Sequence, residues 1–370
     1  MASEKKRPEL TPDEGAEGFN SEVMPGGKRA ESSQPVPKRR KLSKDDVIRG
    51  IRKGDRTTLA RAITLVESNA PQHEELAQAV LKELLPSTGN SIRIGITGIP
   101  GVGKSTFIEA LGEYLCAEGH RVAVLAIDPS SSLTRGSVLG DKTRMELLSR
   151  NPRAFIRPSA TSGNLGGVAR KTRETLLLCE AFGFDIILLE TVGVGQSEVT
   201  VRSMVDCFLL LQIAGAGDEL QGIKKGVVEL ADIIVVNKAD GDNLQRANLA
   251  KAEFNRVLHY LQPTTVGWKP KAVTASSLTG AGIKELWYLL QSFVESAREH
   301  QVFDQRRQQQ NAEWFDSLLD EAIRRRFYQQ QEIRDRLNGL RQQVATGALP
   351  AAMAVEAMMA EAPNAPATPR

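Results

Sequence analysis

The run GITGIPGVGKST at residues 95–106 constrains this chain more than any other feature. An apolar stretch, IRIGIT, leads into it, and a helix-forming stretch, TFIEALGEYL, leads out. Between them Gly98, Gly103, Lys104 and Ser105 keep the spacing GxxxxGK[ST]. That strand–loop–helix order lets backbone N–H groups wrap phosphates while the helix N-terminus adds positive potential. Gly98, Gly101, Val102, Gly103 and Thr106 supply the cradle, Lys104 bridges the β- and γ-phosphates, and Ser105 offers its hydroxyl to Mg²⁺.

A loop of this kind needs an open parallel sheet, and the surrounding chain is patterned for one. SIRIGIT, RVAVLAID, FDIILLET, CFLLLQI, DIIVVNK and KAVTAS alternate with helical segments between residues 90 and 295. These runs are apolar at successive positions, as in strands covered on both faces. The expected fold is an α/β P-loop domain, a mostly parallel sheet flanked by helices, with its ligand at the strands' carboxyl ends. Before it, residues 44–89 form a helical element that opens at a Ser43 N-cap, with apolar residues from Val47 to Val66 at helical spacing and a second helix between Pro71 and Pro86. Residues 1–43, rich in Pro, Gly, Ser, Lys and Glu, read as a disordered tail. After the sheet, residues 296–350 form a polar helical arm. Its apolar stripe runs through Trp314, Leu318, Leu319, Ile323, Phe327, Ile333, Leu337, Leu340 and Val344, and calls for the sheet domain or a second chain as its partner. Residues 351–370 read as a flexible tail with a short helix at its start.

Which base is bound follows from VVNKAD. Asn237, Lys238 and Asp240 match NKxD after a buried strand. A carboxylate there accepts from both N1–H and the 2-amino group of guanine, an arrangement adenine lacks. The next loop, TASSLTGAGI, places Ser276, Ser277 and Leu278 where backbone N–H groups close on the guanine oxygen. The nucleotide is therefore expected to be GTP or GDP, with Mg²⁺.

The acids around the phosphates are less regular. In ETVGVGQSE, Glu190 and Gly193 stand where GTPases commonly have DxxG. Gly193 can still offer its N–H to the γ-phosphate, and Glu190 can reach either the metal's water or the attacking water. Val194 occupies the usual glutamine position and Gln196 comes two residues later, so slow intrinsic hydrolysis is expected. Asp128 in LAIDPSS and Asp141 in GDKTRM are further acids that could hold Mg²⁺ through water.

Composition removes several alternatives. The net charge of +3 over 370 residues does not suggest nucleic-acid binding. No apolar run approaches the ~20 residues of a membrane span. The N-terminus lacks an apolar signal core and carries acids, so the cytoplasm is the expected compartment. Three separated cysteines make neither a disulfide framework nor a zinc site. Four scattered histidines weaken a nickel-delivery reading. A transport-linked kinase is disfavoured by the NKAD loop and by missing kinase motifs.

Together GIPGVGKST, AIDPSS, GDKTRM, ETVGVGQSE, GAGDELQGIKKG, ADIIVVNKAD and TGAGI resemble the MeaB/ArgK family, to which the human methylmalonic aciduria type A protein belongs. The resemblance covers residues 45 to about 345. It implies a G-protein metallochaperone that gates adenosylcobalamin loading and protects a B12-dependent acyl-CoA mutase. That mutase is methylmalonyl-CoA mutase or a relative acting on isobutyryl- or 2-hydroxyisobutyryl-CoA. The cobalamin sits on the partner; a cobalamin adenosyltransferase is a second partner. The resemblance also implies a homodimer built on the arm, Asp128, Asp141 and Glu190 as acids of the Mg²⁺/GTP site, and residues 215–226 as a switch. In that switch Asp218 and Lys224 are the candidates, Lys224 as a source of positive charge for the transition state.

Overall fold

The computed structural model describes residues 43–127, 145–158, 165–191, 197–215 and 225–360. Apart from Ser43, the N-terminal tail lies outside the described residues. So do Asp128, Asp141, Gly193, Gln196, Asp218, Lys224 and the chain after residue 360.

Three helices come first: α1 (Lys44–Arg52), α2 (Arg56–Glu67) and α3 (Pro71–Leu84). Ser43 caps α1 reciprocally with Asp46, as a capping box. One continuous periodicity over 44–67 hides a break. Gly54 takes a left-handed φ of 74°, and Asp55 caps α2 by accepting from the N–H groups of Thr57 and Thr58.

Next comes β1 (Ile92–Gly98), then α4 (Lys104–Ala117), β2 (Val122–Ile127), α5 (Glu146–Arg150), β3 (Ala154–Pro158), α6 (Leu165–Phe182) and β4 (Ile186–Thr191). The chain continues through α7 (Ser197–Arg202), β5 (Cys207–Ile213), α8 (Lys225–Leu230), β6 (Ile233–Asn237), α9 (Leu244–Tyr260), β7 (Lys271–Thr274) and α10 (Ile283–Glu299). Among the described residues the strands form one sheet in the order 3-2-4-1-5-6-7, with every neighbouring pair parallel. The expected α/β fold holds. Strand β3 is the addition: AFIRP is short and ends in proline, which an edge position tolerates because no neighbour needs its missing N–H.

Strand β1 lies between β4 and β5, where the order of connection changes side. A crevice at the carboxyl end of such a strand is where ligands bind in open α/β sheets. On one face Ile94, Ile96, Leu188 and Leu209 pack with Phe107, Leu111 and Leu115 of α4 and with Leu290 and Phe293 of α10. On the other face Ile187, Leu189 and Phe208 pack with Leu176 and Phe182 of α6 and with Val47, Leu59, Ile63 and Val80 of α1–α3. The N-terminal helices thus share the sheet's core.

The polar arm is α11 (Val302–Gln329), α12 (Gln331–Ala345) and α13 (Ala351–Ala360). Gln301, at a left-handed φ of 59°, separates α10 from α11. The short helix expected at the start of the tail spans residues 351–360, where Ala354 and Met358 are buried against α12. The root of α11 is not a free arm. Arg307 donates to both oxygens of Asp206 at 2.8 and 2.7 Å and to the Ser91 carbonyl at 2.6 Å. Arg306 donates to Thr265 Oγ1 at 2.6 Å, and Gln310 Nε2 to the Val205 carbonyl at 2.9 Å. Asp206 also accepts the N–H of Arg93, so one buried carboxylate joins β1, the start of β5 and the arm. Burial opposes the Arg307 charge, but its hydrogen bonds to Asp206 and that carboxylate's field outweigh it and hold the guanidinium above its ordinary value.

Removing Asp206 leaves the part-buried Arg307 guanidinium hydrogen-bonded to backbone carbonyls but without its ion-pair partner. Asp206→Ala should therefore cost about 3–5 kcal/mol in urea unfolding, whereas Glu146→Ala, which breaks an exposed pair, should cost under about 1 kcal/mol.

Candidate functional site

The phosphate loop leaves the end of β1 so close to β5 that a side chain at Gly98 has no room; its Cβ would lie 2.6 Å from the Leu211 carbonyl oxygen. Gly103 takes a left-handed φ of 92°, and a Cβ there would meet Asn237 Nδ2 at 3.0 Å. Gly103 is the N-cap of α4 and supplies no side-chain cap. The leading N–H groups of the helix, at Lys104, Ser105 and Thr106, are thereby disposed to meet an anion. Val102 is fully buried and pins the loop from below.

Lys104 folds back over this loop, its Nζ donating to the carbonyls of Gly98 at 2.8 Å and Ile99 at 3.3 Å. Burial pushes its pKa below the ordinary lysine value, while the carboxylates of Glu190 and Glu198 pull it back up. Ser105 Oγ donates to Glu190 Oε1 at 3.2 Å, and Glu190 is buried at the end of β4. A hydroxyl and a carboxylate oxygen in contact beside the loop suit a hard cation such as Mg²⁺. Among the described residues no cluster of three or more His, Cys, Asp or Glu side chains forms a metal cage.

The residues expected to read the base are assembled around Asn237. Its Nδ2 donates to the Val102 carbonyl at 2.9 Å, and its Oδ1 accepts from Ser277 Oγ at 2.7 Å. One buried amide thus joins the phosphate loop, the end of β6 and the loop after β7. Lys238, a non-glycine residue at a left-handed φ of 57°, sends Nζ to the Gly101 carbonyl at 2.8 Å. Ser276 Oγ donates to Asp240 Oδ2 and accepts from the Thr279 N–H at 3.1 Å.

This geometry corrects one sequence expectation. The Ser276 N–H is committed to the Ala281 carbonyl at 2.9 Å and the residue is fully buried, so Ser276 orients Asp240 instead of contacting a base. Ser277 likewise turns its hydroxyl toward Asn237, and the Leu278 side chain stands 83% exposed at the rim. The structure brings together Gly98, Gly101, Val102, Gly103, Lys104, Ser105 and Thr106 with Glu190, Asn237, Lys238, Asp240, Ser276, Ser277 and Leu278.

Glu198 escaped the sequence reading. It lies inside ETVGVGQSE, is 5% exposed on the first turn of α7, and acts electrostatically on Lys104. The available signal was an acid placed among the apolar residues of an amphipathic turn.

The family model for the methylmalonyl-CoA mutase-associated GTPase MeaB matches residues 59–332. The chain belongs to the MeaB family of GTPases. It is 50% identical over 276 residues to the GTPase ArgK of Escherichia coli, covering 75% of this chain and 83% of that one. It is 44% identical over 325 residues to the mouse protein named methylmalonic aciduria type A homolog, mitochondrial, covering 85% of this chain and 78% of that one. A crystal structure titled LAO/AO transport system kinase superposes with a TM-score of 0.70 at 39% identity, covering 85% of this chain and 96% of that one. As a MeaB-family GTPase the chain hydrolyses GTP to GDP and phosphate.

Because Ser276 holds one oxygen of Asp240 and the carboxylate is the group that can pair with the 2-amino edge of guanine, Asp240→Asn should exchange guanine for xanthine selectivity. Competition binding should show GDP weakened by at least about tenfold, a loss of roughly 1.4 kcal/mol, with XDP tightened.

Proposed function

We propose that this GTPase is the chaperone of an adenosylcobalamin-dependent acyl-CoA mutase, methylmalonyl-CoA mutase first among the candidates. The observation that carries the reading is the family model, which spans 274 residues and whose description names that mutase. The name of the mouse relative points to the same metabolism. Cobalamin is carried by the partner, and GTP binding and hydrolysis gate its loading. Mutases acting on isobutyryl- or 2-hydroxyisobutyryl-CoA, and a cobalamin adenosyltransferase, belong to the same partner class.

In this reading Lys104 leaves the Gly98 and Ile99 carbonyls for the β- and γ-phosphates, and the N–H groups of Gly101 to Thr106 hold the remaining oxygens. Ser105 and Glu190, with Asp128 and Asp141, hold Mg²⁺, which when bound neutralises charge on the β- and γ-phosphates. Ser276 keeps the base-reading Asp240 in place, Asn237 ties the phosphate loop to Ser277, and the Lys238 stem lies along the base. Gly193 offers its N–H to the γ-phosphate. Gln196, Asp218 and Lys224 act as switch residues, Lys224 supplying positive charge once the partner orders its surroundings. Hydrolysis by the isolated chain is accordingly slow.

The reading includes a homodimer. Phe315, Leu319 and Ile323 are 63%, 48% and 57% exposed at four-residue spacing on α11. Beyond them Phe327, Leu337, Leu340, Val344, Val355 and Met358 line an apolar groove of about 410 Å³. An apolar stripe of this length on an otherwise polar helix supports a protein interface. Deleting residues from 300 onward would remove Arg306 and Arg307 from the sheet, so point substitutions test the stripe better. Leu319→Glu with Ile323→Glu should give a monomer by light scattering while GTP binding stays within about twofold, a change under roughly 0.4 kcal/mol; a surviving dimer refutes the interface.

Cytoplasmic placement is part of the proposal. Cys116, Cys179 and Cys207 are buried and unbridged, which suits a reducing compartment. Among the described residues no helix is long and apolar enough to cross a membrane.

The deciding experiment adds purified methylmalonyl-CoA mutase to the GTPase and follows phosphate release. A rise of about tenfold or more, equivalent to roughly 1.4 kcal/mol off the barrier, is expected. Unchanged turnover with this mutase and with the isobutyryl- and 2-hydroxyisobutyryl-CoA enzymes overturns the chaperone reading.

A further inference from the structure

The reverse side of the phosphate loop carries a row of polar side chains where apolar ones would be expected. On β1, Gly95 faces α7, since a Cβ there would meet Val201 and Val205, and Thr97 shares that face. By the same alternation Thr191 stands beyond Ile187 and Leu189 on β4, and Gln212 beyond Phe208 and Leu210 on β5. All three lie within 1% of complete burial. Below them, toward the amino ends of the strands, this face is Ile187, Leu189, Gly95, Phe208 and Leu210. The polar row lies at the carboxyl ends, level with the nucleotide site.

Thr97 and Thr191 satisfy one another; the Thr191 hydroxyl lies 2.8 Å from that of Thr97. Gln212 differs. Both Nε2 and Oε1 are buried, and neither meets a hydrogen-bond partner among the described residues. An unpaired buried amide costs folding free energy that leucine or methionine of similar volume would not. A glutamine held here needs a use that an apolar side chain cannot meet.

Its register shows where that use lies. Leu211 pairs with Gly98, the last residue of β1, so Gln212 stands level with the first residue of the phosphate loop. On its other side Gln212 pairs with Val236, one residue before Asn237. Neighbouring strands are about 4.8 Å apart, which puts a glutamine side chain within reach of the Thr97–Thr191 pair. Thr191 adjoins Glu190, and Glu190 touches Ser105 in the phosphate loop. Buried Glu198 lies on α7, which packs against both β1 and β4 on this side of the sheet. The route from the Glu190 carboxylate toward Gln212 therefore runs through the β4 backbone to Thr191, which faces the opposite side of the sheet, and on to Thr97.

We propose that Gln212 is a positioning residue that discriminates nucleoside triphosphate from diphosphate. Its amide pairs with the polar row when a γ-phosphate and Mg²⁺ draw Glu190 and the end of β4 onto the phosphate loop. It touches neither nucleotide nor metal and acts through Thr191. The gain of this hydrogen bonding in the triphosphate-bound protein, and not in the diphosphate-bound one, contributes to the preference between them.

The inference rests on the GTPase assignment and is independent of which mutase is served. The test measures Mg²⁺-dependent binding of GDP and of a non-hydrolysable GTP analogue to the full chain by calorimetry. Wild type, Gln212→Leu, Gln212→Met, Thr191→Val and the Gln212→Leu/Thr191→Val double variant are compared, with thermal unfolding of each in the absence of nucleotide. Binding of both nucleotides by wild type secures the GTPase assignment separately. Gln212→Leu should weaken the analogue about tenfold, leave GDP within twofold, and leave the unfolding temperature equal or higher. Thr191→Val should lose the same discrimination, and the double variant should lose no more than either single one. Should the leucine variant fail to fold, the methionine variant reads the same ratio. Equal weakening of both nucleotides, an unchanged ratio, or additive effects in the double variant would each overturn the proposal.

Discussion

Double-sided burial of β1 between β4 and β5 is the constraint on which the rest of the molecule depends. Because the strand has parallel neighbours on both edges and helices on both faces, its carboxyl end is a fixed point from which the phosphate loop can leave in one direction only. Its amino end is held as firmly. Glu180 accepts from Ser91 Oγ, from the Gly89 N–H at 2.9 Å and from the Arg93 guanidinium at 2.9 and 3.0 Å. Asp206 accepts the Arg93 N–H and carries Arg307 of the arm. Burial alone would raise the Glu180 pKa, but the arginine and the other donors hold it below its usual range, so the carboxylate stays charged where charge is required.

The two ends of the sheet therefore divide the work. The amino edge is a closed ionic network that fastens the arm to the core. At the carboxyl edge lie a helix start without a side-chain cap, a lysine folded on backbone carbonyls, and an asparagine that ties the phosphate loop to the loops after β6 and β7.

Much of this was legible in the chain. Six of the seven strands announce themselves because strands covered by helices on both faces are apolar at most successive positions. GxxxxGKS and NKAD are readable because each needs particular residues at fixed spacing after a strand. Strand β3 was not, since AFIRP holds a charged residue and a proline and its pairing to β2 is visible only in three dimensions. The break at Gly54–Asp55 was masked by apolar spacing that runs through it. Ser276 was placed against the base because its position in the loop fits; that its N–H is already used by Ala281 depends on how the loop closes.

By itself, the sequence determined that this protein is a parallel α/β P-loop GTPase with an NKAD loop after a buried strand, because local spacing and strand polarity encode those properties. The tertiary structure alone decided which buried acids face Lys104, that Arg306 and Arg307 lock the arm into the sheet, and that Gln212 lies behind the phosphate loop. Each of those facts joins residues tens to hundreds of positions apart. Their proximity follows from strand order and register, and no local pattern in the chain records it.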